Sequence, residues 1–338
     1  MAMSSEWRSD VLGADFEQAT LYPPDGAEAT LIRHVPSTGA PDGGGAEARP
    51  VAVLYLHGFN DYFFHPHVAE ALAGAGYAFY AVDLRGFGRS MAAHVEVGGD
   101  PNMARSIAVY AADLDAAASA IRERGHQKLV VMAHSMGGLV ATLWASGAKE
   151  LRGAGSTNRL RADALVLNAP WFDLNESDLL RGPGTELIGV LSNFAPRAAV
   201  GGIKPFYGRA LHRETGGEWA FNLDWKPPHG FPVQAAWLTS IRQGQRRLMS
   251  GLVRLDIPVL VLASTRSGSA KQWHPEVITT DSVLNVRDIA LGAAQIGDRV
   301  TFVQIPGGAH DLALSREAAR KEYLATVIDW LTTTIPAS

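Results

Sequence analysis

Short, uninterrupted apolar runs recur along the chain and are separated by segments with the spacing of amphipathic helices. Runs of this length, without polar alternation, are typical of strands that are buried on both faces of a parallel sheet. The predicted strands are Val51–Leu56, Tyr77–Val82, Leu129–Met132, Ala164–Leu167, Ile257–Ala263 and Arg299–Ile305. The predicted helices are Pro66–Ala75, Ile107–Arg124, Leu139–Lys149 and Leu312–Leu331. Strands that alternate with helices predict an α/β fold, with a mostly parallel central sheet and helices on both faces.

A β-hairpin is predicted ahead of this alternation. Phe16–Leu21 and Ala29–Val35 flank Pro23-Pro24-Asp25-Gly26, which is a strong turn signal. The glycine-rich segment Pro36–Pro50 is predicted to be a loop without a domain break.

The alternation stops between about Pro170 and Met249, where aromatic, proline and glycine residues are frequent. It resumes with the strand at Ile257–Ala263. The pattern predicts one sheet domain, formed by residues 1–169 and 250–338, with an inserted lid (cap) at residues 170–249. The lid aromatics could pack onto the sheet or line a pocket for an apolar acyl or aryl group, and the sequence leaves both open.

Composition narrows the class of protein. A chain of 338 residues with 47% hydrophobic and 19% charged residues is typical of a soluble globular protein with a substantial core. The net charge of −4 argues against a nucleic-acid-binding surface. The absence of cysteine excludes disulfides, a cysteine nucleophile and a thiolate metal site.

The sequence also gives an expectation about where in the cell the protein is located. Met1–Phe16 is polar and acidic and lacks the apolar core of a signal peptide, so a cytoplasmic location is expected. No uncharged apolar stretch reaches about 18 residues, so no membrane span is expected.

The segment Lys128–Gly138 carries the first chemical signal, because a predicted strand changes abruptly to helix-forming residues there. Ser135 lies at that change, in the Gly-x-Ser-x-Gly pattern of a nucleophile elbow, with Ala133 in place of the first glycine. Such a turn lifts the serine Oγ out of the sheet and directs the following backbone N–H groups toward an anion. An ordinary strand-to-helix turn with a capping serine also fits the pattern, so the context must decide.

His310 supplies that context. A serine that transfers acyl groups requires a base, a carboxylate that orients the base, and donors for the oxyanion. His310 follows the last predicted strand, and loops after the carboxyl ends of parallel strands share one edge of the sheet. We therefore predict that His310 is the base for Ser135.

Three motifs, in their order along the chain, resemble those of the α/β-hydrolase superfamily, and most closely its monoglyceride lipase, lysophospholipase and serine aminopeptidase group. They are His57-Gly58-Phe59, Asp83-Leu84-Arg85-Gly86-Phe87-Gly88-Arg89-Ser90 and Ala133-His134-Ser135-Met136-Gly137-Gly138. The resemblance covers about Val51 to Leu331 and is weakest in the predicted lid. It implies an α/β-hydrolase fold and an oxyanion hole formed by the backbone N–H groups of Phe59 and Met136.

The orienting carboxylate is harder to assign. The resemblance implies an acid a few residues after the strand Ile257–Ala263, but the first aspartate there is Asp281, at the end of an unusually long loop. Asp281 is the preferred acid. The alternatives are Asp173, Glu276 and Asp288, and each could instead be a solvated or helix-capping carboxylate.

These residues predict a serine hydrolase that cleaves carboxylic esters, such as acylglycerols, lysophospholipids or other apolar acyl esters, without a cofactor. His65-Pro66-His67 near Asp61 lacks a third ligand and is interpreted as a loop and helix start, so no metal site is predicted. The alternatives are a serine aminopeptidase or small-amide hydrolase and a non-catalytic ligand-binding protein. The expected partner is a small apolar ester, with transient lipid contact at most, and the oligomeric state is not predicted.

Overall fold

A nine-stranded sheet forms the centre of the molecule, in the order β1-β2-β3-β5-β4-β6-β7-β10-β11. A computed structural model describes residues 6–35, 49–147, 162–175 and 180–337. The strands are β1 Arg8–Asp10, β2 Gly13–Leu21, β3 Ala29–His34, β4 Val51–Leu56, β5 Ala78–Asp83, β6 Lys128–His134, β7 Ala164–Asn168, β8 Ala199–Gly201, β9 Val233–Gln234, β10 Val259–Ser264 and β11 Val300–Ile305.

The predicted mostly parallel sheet is confirmed. The strands β5, β4, β6, β7, β10 and β11 are parallel to one another, and β1, β2 and β3 add an antiparallel edge beside β5. The predicted hairpin is β2–β3, with Leu21 opposite Ala29. Residues 36–48 of the predicted glycine-rich loop lie outside the described residues.

Helices cover both faces of the sheet, as predicted. They are α1 Pro66–Gly74, α2 Met91–Glu96, α3 Tyr110–Glu123, α4 Met136–Ser146, α5 Thr185–Phe194, α6 Phe206–Leu211, α7 Ala235–Met249, α8 Val286–Ala293 and α9 Glu317–Thr334. One core cluster packs α3, α4, α7 and α8 against one face, and a second packs α1 and α9 against the other. Because successive strand residues point to opposite faces, Leu54 and Tyr55 of β4 belong to different clusters.

Several predicted helix boundaries differ from the structure. The closing helix begins at Glu317, because Leu312–Leu314 forms a separate 3₁₀ turn capped by the Asp311 side chain. The predicted helix Leu139–Lys149 begins earlier, at Met136, and Gly147 ends it in the left-handed conformation. Lys149 lies outside the described residues.

In its described residues, the region between β7 and β10 contributes no strand to the central sheet, and these two strands are direct neighbours. It contains α5, α6 and α7 and a small antiparallel pair, β8–β9, none of which was predicted from the sequence. Trp237, Ile241 and Leu248 of α7 are fully buried in the main core cluster. The interpretation of residues 170–249 as a lid stays a prediction.

No helix in the described ranges is both long enough and apolar enough to cross a membrane.

Candidate active site

Ser135 lies in a strained turn between β6 and α4, at the carboxyl edge of the central sheet. Its backbone has φ 52° and ψ −115°, a conformation that residues other than glycine rarely adopt. Hydrogen bonds hold the turn on both sides, because the Ser135 N–H donates to Asn168 O at 3.0 Å and Ser135 O accepts from Gly138 N at 2.9 Å. A strand that leads directly into a helix therefore presents the serine at the sheet edge.

Close packing explains the residues around Ser135. A Cβ added to Gly137 would lie 2.4 Å from the backbone oxygen of His57, and one added to Gly138 would lie 2.6 Å from the Cβ of Pro170. Ala133, by contrast, is an ordinary strand residue that pairs with Leu56 and Leu167. The position that usually holds the first glycine does not require one here.

The structure brings Ser135, His310 and Asp281 together. His310 Nε2 lies 3.0 Å from Ser135 Oγ, and His310 Nδ1 lies 3.0 Å and 3.1 Å from the two Asp281 carboxylate oxygens. Asp281 is fully buried, and 5% of His310 and 7% of Ser135 are exposed. A carboxylate at Nδ1 favours the tautomer with the proton on Nδ1, which leaves the Nε2 lone pair facing the serine hydroxyl.

Two backbone hydrogen bonds explain how Asp281 reaches the active site although it follows a long loop. The Asp281 N–H donates to Arg266 O at 2.9 Å, and the Gly268 N–H donates to Asp281 O at 2.7 Å. Asp281 is thereby held beside residues that follow directly after β10. Residues 269–280 form a loop whose two ends are joined by these hydrogen bonds. The Asp281 Oδ1 also accepts from the backbone N–H groups of Val283 and Leu284, at 3.0 Å and 2.7 Å.

The alternative acids have other partners or positions. Asp173 contacts Arg242, with 2.6 Å between carboxylate oxygen and Nη1. Glu276 is exposed and lies 3.4 Å from Arg266, and Asp288 lies in the first turn of α8. Asp281 is the carboxylate that the structure brings to His310.

The turn after β4 lies directly against the serine. A Cβ added to Gly58 would lie 3.1 Å from the Ser135 Cβ. The backbone N–H groups of Phe59 and Met136 have no acceptor within the described residues. Both donors that the resemblance assigns to an oxyanion hole are therefore free to bind a ligand, and the oxyanion hole stays a prediction.

His57 and Asp83 hold neighbouring loops. His57 Nε2 accepts from the Leu84 N–H at 3.1 Å, and burial lowers the pKa of this imidazole. The Asp83 carboxylate accepts from the backbone N–H groups of Phe63 and Arg89, at 2.9 Å and 3.0 Å. Both side chains bind backbone groups.

Asp311 and Asn168 fix the loop that carries His310, and the sequence analysis missed both. The Asn168 Nδ2 group donates to Asp311 Oδ1 at 2.7 Å, and Asn168 Oδ1 accepts from the Leu312 N–H at 3.1 Å. Burial opposes ionisation of Asp311, but His134, His65 and Asn168 outweigh it and lower its pKa. The available signals were an aspartate directly after His310 and an asparagine at the end of a strand.

A second imidazole, His134, lies beside His310, with 4.8 Å between the ring centroids. Burial lowers the pKa of His134 to about 4, so it carries no positive charge near His310 at neutral pH. Its Nδ1 N–H donates to Asn168 O at 3.1 Å. This contact fixes the tautomer of the neutral ring.

His134, Asp61 and Asp311 offer ligand atoms that lie within 4.8 Å of one another, and all three residues are buried. One of these groups is already neutralised, because the Asp61 carboxylate contacts the Lys226 ammonium at 2.6 Å. The expectation that no metal is needed stays a prediction.

Solved structures with this fold include a soluble variant of a monoglyceride lipase from Saccharomyces cerevisiae, in complex with a substrate analog. It is 16% identical, covers 99% of each chain and has a TM-score of 0.64. A carboxyl esterase from Bacillus coagulans, in complex with glycerol, is 16% identical over 96% of this chain and 100% of its own, with a TM-score of 0.62. A monoacylglycerol lipase from Paleococcus ferrophilus is 18% identical over 83% and 94%, with a TM-score of 0.59. At these identities the likeness shows the α/β-hydrolase fold.

The family is shown by a sequence model. The model described as "Serine aminopeptidase, S33" matches residues 48–268, which is more than half of the chain. The match includes Ser135 and the turn after β4 and ends before Asp281 and His310, so the geometry provides the evidence for those two residues. The chain belongs to the serine aminopeptidase S33 family of α/β-hydrolases.

Proposed function

We propose that the protein is a serine hydrolase that cleaves carboxylic esters through an acyl-enzyme on Ser135. The observation that carries the proposal is the chain of contacts from Ser135 Oγ to His310 Nε2 and from His310 Nδ1 to Asp281, on a strained strand-to-helix turn. These are the contacts that a serine needs to lose its proton as it attacks a carbonyl carbon.

The proposed reaction has two halves. Ser135 Oγ attacks the ester carbonyl carbon while its proton passes to His310 Nε2, and buried Asp281 stabilises the imidazolium that forms. His310 then gives that proton to the leaving alcohol as the carbon–oxygen bond breaks, and an acyl-serine remains. Water repeats the sequence on the acyl-serine, releases the carboxylic acid and regenerates Ser135.

The tetrahedral oxyanion would be bound by the backbone N–H groups of Phe59 and Met136. Donors already in position cost no reorganisation during the reaction, and removal of one such donor typically costs about 3–4 kcal/mol of transition-state stabilisation. The first turn of α4 begins at Met136, so the positive end of the helix dipole also favours the anion.

An apolar acyl ester is the proposed substrate class, and residues 170–249 are its proposed lid. Trp237 of α7 packs on Phe59, with 4.5 Å between the ring centroids, and lies 6.1 Å from Trp171. The Trp171 N–H donates to Ser135 O at 2.9 Å. Aromatic residues of the inserted region thus contact Phe59 and the backbone of Ser135, which favours an apolar substrate group.

Point variants test the mechanism. Ser135→Ala is expected to abolish hydrolysis of p-nitrophenyl acyl esters and labelling by a fluorophosphonate, because both require the hydroxyl oxygen. Asp281→Asn is expected to lower kcat by about three to four orders of magnitude, whereas the matched variant Asp173→Asn should retain most activity. Full ester hydrolysis by the Ser135→Ala variant would show that the proposed mechanism is wrong.

The family description favours a second candidate, hydrolysis of amides or of N-terminal residues in peptides. A parallel assay of aminoacyl anilides and acyl esters of graded chain length separates the two candidates, because the higher kcat/KM identifies the substrate class. A non-catalytic binding protein would show neither activity nor fluorophosphonate labelling. We also propose a cytoplasmic location and, at most, transient lipid contact, which cell fractionation tests.

A further inference from the structure

Residues 222–231 of the inserted region, here called the strap, are joined to the turn Phe59–Tyr62, here called the oxyanion turn. The Asn60 Nδ2 group donates to Pro227 O at 3.1 Å, and Asn60 Oδ1 accepts from the Phe231 N–H at 3.2 Å. The Asn222 N–H donates to the Tyr62 hydroxyl at 2.7 Å. The strap is thus bonded to the residues that directly follow Phe59.

These contacts hold Asn60 in its backbone conformation. Its φ is 59°, in the left-handed region, where asparagine is tolerated better than most residues but still at some conformational cost. It is 6% exposed, and its amide oxygen and nitrogen both bind backbone of the strap. The peptide unit between Phe59 and Asn60 is therefore oriented in part by another region of the chain.

An ion pair reinforces the junction. Lys226 Nζ lies 2.6 Å from Asp61 Oδ1, and the side chains are 12% and 3% exposed. Asp61 Oδ1 also accepts from the Tyr62 N–H at 2.9 Å, so one carboxylate connects the strap ammonium to the backbone of the oxyanion turn. The rings of Phe64 and Phe221 lie 5.5 Å and 5.7 Å from the ammonium.

The burial of this pair makes its geometry restrictive. A buried ammonium and carboxylate must stay together, because separating them leaves a charge without water or a partner. An ordinary surface ion pair would permit the turn and the strap to move apart at little cost. The junction therefore holds the oxyanion turn against displacement.

We propose that Asn60, Asp61 and Lys226 are positioning residues that hold the Phe59 N–H in place for the oxyanion. The inference rests on the proposed function and deepens it, because attachment of the strap then contributes to kcat. None of the three residues touches the reacting atoms.

A second contact between the inserted region and the sheet domain provides the control. Arg197 Nε lies 2.5 Å from Asp100 Oδ2, and Arg197 Nη2 donates to Gly98 O at 2.9 Å. This ion pair is 60% and 35% exposed and does not involve the oxyanion turn. If attachment of the inserted region were all that mattered, loss of either ion pair would have a similar effect.

The test compares Lys226→Met, Lys226→Arg and Arg197→Met with the parent protein. The readouts are kcat and KM for a p-nitrophenyl ester and the inhibition constant of an aryl trifluoromethyl ketone. Ser135 Oγ adds to the ketone carbon, its proton passes to His310, and the ketone oxygen becomes an oxyanion, so this inhibitor reports on the oxyanion site.

We expect Lys226→Met to lower kcat about 10-fold or more and to raise the inhibition constant by a similar factor, with KM within about two-fold. In Lys226→Arg, kcat and the inhibition constant should lie between those of Lys226→Met and the parent protein. Arg197→Met should change neither kcat nor the inhibition constant. Equal effects of Lys226→Met and Arg197→Met, or an unchanged inhibition constant in Lys226→Met, would overturn the inference.

A second variant covers the case in which Lys226→Met does not fold. Asn60→Gly removes both side-chain bonds but adopts the left-handed backbone without strain, and the same fall in kcat and rise in the inhibition constant are expected. Unchanged values in a folded Asn60→Gly protein would refute the inference. A parent protein without ester hydrolysis or fluorophosphonate labelling would instead refute the proposed function, so the two failures are distinguishable.

Discussion

Glycine at position 137 is required by space rather than by backbone freedom. The added Cβ of Gly137→Ala would meet the backbone oxygen of His57 at 2.4 Å, and backbone cannot rotate away as a side chain does. We expect a loss of about 1–3 kcal/mol in the free energy of unfolding, together with a large loss of activity, because the clash is beside Ser135. Urea denaturation measures the free energy of unfolding, and ester hydrolysis measures the activity.

Gly74→Ala is the matched control, because nothing lies within 4 Å of its added Cβ at the end of α1. It should leave activity unchanged and alter stability by less than about 1 kcal/mol. Similar losses in the two variants would contradict the packing explanation.

His67 gives stability a defined pH dependence. Burial and the neighbouring His65 lower the pKa of His67 to about 4, from an ordinary value of 6.5. Well above pH 6.5 the ring is neutral in both the folded and the unfolded state, so it contributes no pH dependence. As the pH falls from 6.5 toward 4, the unfolded state binds a proton first, and the free energy of unfolding decreases.

The variant His67→Gln keeps a donor for Ala313 O, which His67 Nε2 contacts at 2.9 Å, but it cannot titrate. Between pH 6.5 and pH 4, its free energy of unfolding should therefore fall less than that of the parent protein, by an amount on the order of 2 kcal/mol. Urea denaturation at a series of pH values measures this difference. The same pH profile in parent and variant would show that other groups, such as His134, dominate.

At the residue scale, the sequence predicts what local motifs encode. Ser135, Phe59 and Met136 lie in short motifs with fixed neighbours, and His310 follows from the rule that loops after parallel strands share an edge. The contacts of Asn60 with Pro227 and of Asp61 with Lys226 could not be predicted from the sequence, because they form only after a long inserted region has folded back onto the sheet.

At the element scale, the start of α8 is coupled to the Asp281 loop. Asn285 caps this helix, since its side chain accepts from the Arg287 N–H at 3.0 Å, and the Val286 N–H donates to Ser267 Oγ at 2.9 Å. Asn285→Ala should lower the free energy of unfolding by about 1 kcal/mol, and Asn285→Asp should restore most of it. Thermal denaturation measures both.

Ester hydrolysis adds a second readout to this pair. We expect kcat to stay near the parent value in both variants, because the backbone ladder to Asp281 does not use the Asn285 side chain. A loss of kcat that exceeds the loss of stability would show that the cap also positions the acid.

The helix α7 shows why some elements escape prediction. Its buried face includes the polar residues Ser240, Arg242 and Gln245 beside Trp237 and Ile241. Polar residues on the buried face interrupt the apolar spacing by which helices are recognised in a sequence. The core strands, by contrast, are continuous apolar runs, and Val51–Leu56 was predicted to the residue.

At the scale of the whole molecule, α7 links the inserted region to the main core. Trp237 is fully buried there, so Trp237→Ala should remove about 3–5 kcal/mol from the free energy of unfolding. We expect one cooperative transition at a lower temperature rather than separate melting of residues 170–249. Calorimetry checks this, because a two-state transition has equal calorimetric and van't Hoff enthalpies. An early, separate transition would indicate an independent lid.

The global arrangement was predictable as far as it depends on alternation. Alternating strands and helices imply a parallel sheet, and the motif order implies which loops meet at its edge. The structure adds the order of the strands, with β4 between β5 and β6, and the packing of the inserted region.

Backbone hydrogen bonds between residues 266–268 and Asp281 fix the position of the Asp281 carboxylate independently of the length of the loop between them. Residues 269–273 project from a base that is already closed, and Trp273 at their end is 58% exposed. Chain length can therefore vary at this tip while the acid stays in register. The tip is a natural point for inserting a peptide tag or a reporter into the chain.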